Sequence, residues 1–460
     1  MNFEKLFNPE VLLLAGFLFI SGVFLFFLIN KNLIAGIYVW LLSVLFFKYK
    51  QPFRIEGLPL PDFSIDRILF ILLAVIFIIG IFTKRYRLFS FTWVEYSMFL
   101  FCMFAVISMI WTGFIFKEDG RIRIKELLTG YILPFFIFFI SQNSYETHEK
   151  REGFIKLIIL AGLYLSFTAI FEHFSINQLV FPKFILDPDF GIHIGRARGP
   201  FGQAAVNGTV LGFVLAASAY FLFNFKKTGL WGLCSLILLI VTPVAIFFTY
   251  TRAAWIASLL SFTIIIAFNL RQKQKIATLA LIILCTTAVL GTSFFLEEKT
   301  TGFALNRARD ESPIYDRLNL YIASVNMFIR NPVFGVGFGK FSDNSPDYFE
   351  NVSGIPYQDS ELKEHDTFMV VMAEMGLVGI LLILCVYILI LWRSIRLYQR
   401  LGPNNLRERS FVILFWGFLA VYIVNSLFIE MRYFEFVNSI FFISAGFICR
   451  MGRECNAEIC

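Results

Sequence analysis

Long apolar stretches separated by short polar intervals run through nearly the whole chain. They fall at 11–29, 33–47, 66–82, 94–111, 125–140, 154–172, 203–223, 230–249, 253–270, 276–295, 366–392, 410–429 and 433–449. Most approach the ~17–25 residues a helix needs to cross a bilayer. They number thirteen, or twelve if the short 33–47 run is re-entrant or interfacial. Being continuously apolar, they lack the inside/outside alternation of membrane-spanning strands. The pattern therefore predicts an all-α fold: a polytopic transmembrane helical bundle of about 12–13 helices with one long, partly helical outer loop. The first run is longer than a signal-peptide core and no small-residue cleavage site follows it, so it is expected to be retained.

The intervals divide the chain into three parts. Residues 1–296 hold ten predicted helices with short loops and an outer segment at 173–202; residues 297–365 form the long loop; residues 366–460 carry the last helices and a tail. Lys and Arg collect at 83–87, 149–152, 225–229, 271–275 and 393–400. Counting helices puts all five on one side, which the positive-inside tendency makes cytoplasmic. The C-terminal tail then lies in the cytoplasm and the loops 173–202 and 297–365 lie outside. The basic stretch at 48–54 runs against this count and leaves the N-terminal topology open.

Composition agrees with a membrane protein. Hydrophobic residues make up 58% and charged residues 16% of the chain, against ~25% charged in soluble domains. The net charge of +7 is accounted for by the Lys and Arg that set orientation, so no nucleic acid is needed as a partner. None of the seven cysteines falls in an outer loop, which predicts no disulfide framework, and no metal-type cysteine spacing occurs.

The 297–365 loop is too long to be a mere connection. Within it Ser312-Pro313 offers a helix start, Ile314, Leu318, Ile322, Val325 and Ile329 recur at helical spacing, and Asn331-Pro332 is a stop. The Gly-Val-Gly-Phe-Gly run at 335–339 then reads as a tight turn. Phosphate contact is the alternative, without the strand and helix that a dinucleotide fingerprint requires. The other outer segment ends with Arg196 and Arg198 before a Gly-Pro-Phe-Gly turn. These arginines suit either anchoring to membrane lipids or substrate binding.

Four further residues are chemical candidates. Arg252 lies between two apolar runs on the outer side, either snorkelling to headgroups or presenting a bidentate fork to phosphate. The 297–365 loop carries eleven acidic against seven basic residues, so its arginines are not a generic cationic coat. Arg317 there sits early in the expected helix, where a cation opposes the helix dipole; a substrate contact and an ion pair with a nearby acid are both open. His365-Asp366 stands where the loop meets an apolar run. The imidazole is either an interfacial cap or a base that takes a proton from an attacking hydroxyl. Glu374, nine residues on, points to the opposite helix face and is expected to bond within the bundle. No two His share a helical spacing with a carboxylate as a zinc site needs, and Asp187-Pro188-Asp189 reads as a turn.

Taken in order, the stretches at 196–208, 249–255, 316–341 and 365–382 resemble the O-antigen ligase and O-antigen polymerase superfamily of bacterial membrane glycan transferases. The resemblance covers roughly the C-terminal 60% of the chain. It implies a bacterial inner (plasma) membrane enzyme whose periplasmic loop covers a cavity for an undecaprenyl-diphosphate-linked glycan donor. By motif, Arg252 and Arg317 would clamp the diphosphate and His365 would act on the acceptor hydroxyl of a lipid A core or a second glycan. No nucleotide sugar, metal or other cofactor is implied. Family members usually carry His-Asn where this chain has His365-Asp366, which leaves open whether Asp366 shares the base role. Ligase is favoured over polymerase. A lipid-glycan flippase or transporter is the reading from another class; such proteins show internal repeats and interrupted helices, and no repeat is evident.

Overall fold

The computed structural model describes residues 32–47, 64–86, 88–113, 120–144, 148–192, 195–225, 229–269, 312–349 and 366–458. Every long element among them is helical. In chain order these are α1 (Leu33–Phe47), α2 (Ile65–Phe82), α3 (Trp93–Trp111), α4 (Gly120–Leu127), α5 (Leu133–Asn143), α6 (His148–His173) and α7 (Ala204–Asn224). They continue with α8 (Leu230–Phe248), α9 (Arg252–Asn269), α10 (Ser312–Arg330), the short α11 (Phe341–Asn344), α12 (Thr367–Arg400), α13 (Leu406–Ser426) and α14 (Glu435–Glu458). Among the described residues nine helical spans are long and apolar enough to cross a membrane, with α4 and α5 forming one of them. The predicted runs at 11–29 and 276–295 lie outside the described residues; the other eleven coincide with described helices.

Helix surfaces sort by environment. On α2, Leu69, Leu73, Ile76 and Phe77 are buried while Ile68, Ile71, Val75 and Ile79 are exposed. An apolar residue left exposed at this density fits contact with lipid, where it carries no hydration penalty. By contrast α7 is buried on all sides and rich in small residues. A Cβ on Gly208 would meet the Ala254 Cβ at 2.7 Å and one on Gly212 the Ser258 Oγ at 2.9 Å, so α7 and α9 approach with little between them. Close packing through small residues is how helices gain contact where lipid removes the hydrophobic drive between them.

Two spans are irregular, and both irregularities lie toward the same end of the bundle. Leu128–Ile132 between α4 and α5 is a π-helical turn, and α12 is broken at Gly376, whose φ of 60° and ψ of −155° are not helical. The broken backbone is satisfied by residues 332–337. Leu377 and Val378 donate their N–H groups to the carbonyls of Pro332 (2.8 Å) and Val333 (3.2 Å), and Val336 and Gly337 donate to those of Ala373 (3.0 Å) and Glu374 (2.8 Å). Non-helical backbone near a membrane persists only where protein or water completes its hydrogen bonds. The 335–339 run is thus a turn laid against the break, with Gly335, Gly337 and Gly339 at φ of 70°, 115° and 75°. The α10 helix ends at Arg330, directly before Asn331-Pro332, as its proline predicts.

Cys102, Cys234, Cys385 and Cys449 are free.

The break makes a direct prediction. A Cβ at Gly376 would lie 2.5 Å from the Val333 carbonyl carbon on a backbone that L-residues avoid. Gly376→Ala should lower unfolding stability by about 1–3 kcal/mol or more. Gly402→Ala, with nothing within 4 Å, should stay within about 0.5 kcal/mol. Thermal unfolding of the detergent-solubilised protein compares them, and equal effects would contradict the packing described.

Candidate functional site

Arg317 and Asp366 line one cleft, together with Tyr321, Phe341, Met369 and Val370. Helical periodicity in α10 sets Arg317 and Tyr321 one turn apart on one face. On the same helix Leu320 and Met327 are buried in a small core with Phe341, Val370 and Ala373, which docks α10 onto the first turns of α12. Asp366 is the N-cap of α12: its Oδ1 accepts the N–H groups of Phe368 (2.8 Å) and Met369 (3.0 Å). That cap satisfies two of the donors a helix start leaves open. The Tyr321 hydroxyl reaches the Asp366 Oδ2 at 3.5 Å and the Leu427 carbonyl at 3.4 Å, long distances for hydrogen bonds. His365 lies outside the described residues, immediately before this cap.

Electrostatics in the cleft follow from burial. Desolvation pushes the Asp366 carboxyl above the usual carboxylate range, against the opposing effect of its N–H bonds from Met369 and Phe368. Burial, then the neighbouring Asp366, pushes the Tyr321 hydroxyl up as well. The Arg317 guanidinium stands over the Phe428 ring, 5.4 Å from its centroid, a cation–π arrangement that fixes the cation beside the cleft.

The segment 427–434, between α13 and α14, packs beside the cleft, against Arg317 and Tyr321. Phe428 lies under Arg317. The Thr367 hydroxyl donates to the Ile429 carbonyl at 2.9 Å and accepts the Met431 N–H at 2.9 Å. Arg432 is then buried among carboxylates: Nε contacts Glu430 Oε1 at 2.6 Å, Nη2 contacts Glu374 Oε2 at 2.9 Å and Nη1 contacts Glu126 Oε2 at 3.6 Å. Glu374 and Glu430 hold the Arg432 guanidinium charged, against its desolvation. The other Glu374 oxygen accepts the Phe341 N–H at 3.1 Å. Arg123 extends the network to Glu126 (3.1 Å) and Asp343 (3.5 Å).

The remaining predicted arginines are placed elsewhere. Arg252 is the first residue of α9 and is exposed; it does not line the cleft of Arg317 and Asp366. Arg196 is buried and donates to the carbonyls of Thr249 (2.9 Å) and Tyr250 (3.0 Å) and to the Thr251 hydroxyl (2.9 Å). It therefore braces the junction before Arg252, where Tyr250 has a φ of 48°. Arg198, also buried, donates to the carbonyls of Phe190 (2.6 Å), Ile185 (2.9 Å) and Asp187 (3.2 Å) and lies 3.7 Å from Glu172. These bonds hold residues 185–190 against Arg198. Asp187 and Asp189 form a turn, with Asp189 N–H donating to Asp187 Oδ1 at 3.0 Å. Among the described residues no group of three His, Cys, Asp or Glu side chains gathers as a metal site would.

A larger cleft of about 390 Å³ lies between the end of α3 and residues 331–337. Its lining, including Phe104, Trp111, Val333 and Phe334, contains no charged side chain. Its polar groups, Ser108, Thr112 and Asn331, are neutral, so the charged cleft, about 10 Å³ in volume, is the better chemical candidate.

The cap and its burial predict opposite outcomes for two substitutions. Asp366→Ala should lose about 0.5–2 kcal/mol of stability. Asp366→Asn keeps the Oδ1 acceptor and should not. Because the folded-state carboxyl titrates above its unfolded value, ionising it opposes folding as pH rises through that interval. The Asn variant should then be at least as stable as wild type at neutral pH, and its advantage should vanish as pH falls below the ordinary Asp range. Unfolding curves across pH check this; an Asn variant as weak as the Ala variant at pH 7 would refute the cap.

Residues 234–384 match a family model described as O-antigen ligase. The matched stretch includes Arg252, Arg317, Asp366 and Glu374 and stops before Arg432. No curated protein matches the chain. The family match over part of the chain and the all-α, multi-pass fold together support its placement in the broader superfamily of O-antigen ligases and polymerases.

Proposed function

We propose that the protein transfers a glycan from an undecaprenyl-diphosphate donor to an acceptor hydroxyl at the periplasmic face of the bacterial inner membrane. The observation that carries this reading is the meeting of Arg317 and Asp366 in one cleft at the start of a membrane span. As the glycosidic bond breaks, the diphosphate leaving group gains negative charge. A preorganised guanidinium stabilises that charge in the transition state, and no metal is required to do so. Arg317 takes this role beside the cleft, and Arg252 meets the donor headgroup from its exposed position. His365 removes the acceptor proton as oxygen attacks the anomeric carbon. Asp366, committed to the helix cap through Oδ1, orients that neighbour. Arg196 acts by bracing the junction that carries Arg252, and Arg198 by holding residues 185–190 in place.

Ligation to a lipid A core or similar acceptor is the preferred form of this reaction; polymerisation onto a second lipid-linked glycan uses the same groups. Transport of the lipid-linked glycan is a second reading, since an interrupted helix and buried charges also occur in transporters. The position of the break favours surface chemistry. The stretch from Leu377 to Arg400 rises about 36 Å at ~1.5 Å per residue, enough to cross ~30 Å of hydrocarbon. The interruption then sits near the outer boundary, whereas transporter sites lie near the midplane.

Purified protein in liposomes, given an undecaprenyl-diphosphate oligosaccharide with and without a lipid A core acceptor, should form product read by mass. Product only with the second acceptor indicates a ligase; longer chains on the donor lipid alone indicate a polymerase. Arg317→Ala and His365→Ala should each abolish transfer while insertion is retained, and Asp366→Asn should retain it. Near wild-type activity in both Ala variants would sink the site assignment. Movement of intact donor between leaflets without any new glycosidic bond would favour transport.

A further inference from the structure

Nothing in the transfer chemistry requires Glu374 or Arg432, yet both are among the most buried charged side chains described, at 1% side-chain exposure each. Their surroundings show what the pair does. Glu374 stands two residues before the break at Gly376 and faces two ways: Oε2 meets Arg432 and Oε1 accepts the Phe341 N–H. The Phe341 ring lines the cleft with Arg317, Tyr321 and Asp366. Arg432 belongs to the segment beside the cleft. Its own segment carries Phe428 under Arg317, the Leu427 carbonyl near Tyr321, and the bonds of Ile429 and Met431 to Thr367. One ion pair therefore joins α12, which lines the cleft, to the segment that backs Arg317.

The backbone is shaped to admit this pair. A Cβ on Gly130, within the π-helical turn, would lie 2.7 Å from the Arg432 Cα, so the widened turn and the missing side chain make room for residues 431–433. Asn438 donates to the Met431 carbonyl (2.8 Å) and the Gly130 carbonyl (3.3 Å), pinning the two together. The Phe338 ring, from the 335–339 turn, faces the Arg432 guanidinium with its centroid 5.0 Å from Cζ. The π-turn, the helix break and the 427–434 segment thus all meet at one guanidinium.

We infer that Glu374 and Arg432 are a positioning pair: their ion pair fixes the 427–434 segment against α12, and with it the placement of Arg317 and Asp366 for group transfer. The inference rests on the proposed glycan transfer for its kinetic consequence, and on the geometry alone for its structural one. A planar fork spans Glu430, Glu374 and Glu126 together; a lysine ammonium, a point charge, does not. Arg432→Lys therefore keeps the charge and loses the geometry. Glu374→Gln keeps an oxygen for the Phe341 N–H and loses the charge.

Two measurements test the inference. Hydrogen–deuterium exchange on the full-length protein should show faster exchange in peptides covering 334–341 and 427–434 in both variants, with α7 and α13 unchanged. This readout does not depend on transfer, so a wild-type protein that transfers no glycan fails the functional reading while leaving the structural arm intact. In the transfer assay, kcat should fall roughly a hundredfold, as ~1 Å misplacement of reacting groups can produce, with the donor KM changed by less than about threefold. Wild-type exchange in both variants would overturn the inference, as would raised exchange with wild-type kcat. A loss expressed in KM alone would overturn it too. Should Arg432→Lys fail to insert, Glu374→Gln carries the same test.

Discussion

A fully buried guanidinium facing three carboxylates is the constraint around which one end of this molecule is organised. Arg432 cannot be left unpaired in an apolar interior, and Glu126, Glu374 and Glu430 reach it from three separate segments. Removing one partner from such a group typically costs about 3–5 kcal/mol, because an uncompensated buried charge is left behind. Satisfying all of them has required departures from regular helix: a π-turn where residues 431–433 pass Gly130, and a break at Gly376 where Glu374 turns toward them. Backbone groups released at the break are taken up by residues 332–337. A loop that sequence treats as part of the aqueous segment is in this way built into the bundle.

That arrangement makes a membrane helix one side of the candidate cleft. The part of α12 before Gly376 carries the Asp366 cap and the face on which α10 rests, so Arg317 is held against Phe428 by elements anchored on both sides. Sites supported by helices and by locked neighbours keep their geometry better than sites on free loops. The same logic explains the buried arginines of the 195–203 segment. Arg196 and Arg198 spend their donors on carbonyls that no helix or sheet satisfies, which gives shape to a segment with little regular structure of its own.

Legibility in the sequence followed the physics of each feature. Apolar run length announces membrane helices without reference to tertiary contacts, and α2, α3 and α6 to α9 fall where the runs predict. The start and stop of α10 were written in Ser312-Pro313 and Asn331-Pro332, and Asp366 stood visibly where a polar loop becomes apolar. Arg432 was not legible in this sense: Glu-Met-Arg-Tyr between two apolar runs looks like a short turn, and its burial is decided by α4 and α12. A signal was present in retrospect. Glu374 sits inside an apolar run, Arg432 has no loop to carry it into water, and opposite charges in such settings pair. For Arg196 and Arg198 no periodicity marks the carbonyls they bind, so a choice between lipid and substrate was all the sequence offered. Arg252 was read as a group without a loop to carry it away, and it is exposed at the head of its helix.

The central claim is that the donor diphosphate rests in the cleft of Arg317 and Asp366, at the end of the bundle organised by Arg432. An experimental structure of the protein with undecaprenyl diphosphate bound addresses it most directly. The account predicts phosphate density within hydrogen-bond reach of the Arg317 guanidinium, with the cleft widened from the ≈ 10 Å³ it has here. Diphosphate density against the uncharged cleft of Trp111 and Phe334, or at the opposite end of the bundle, would contradict it.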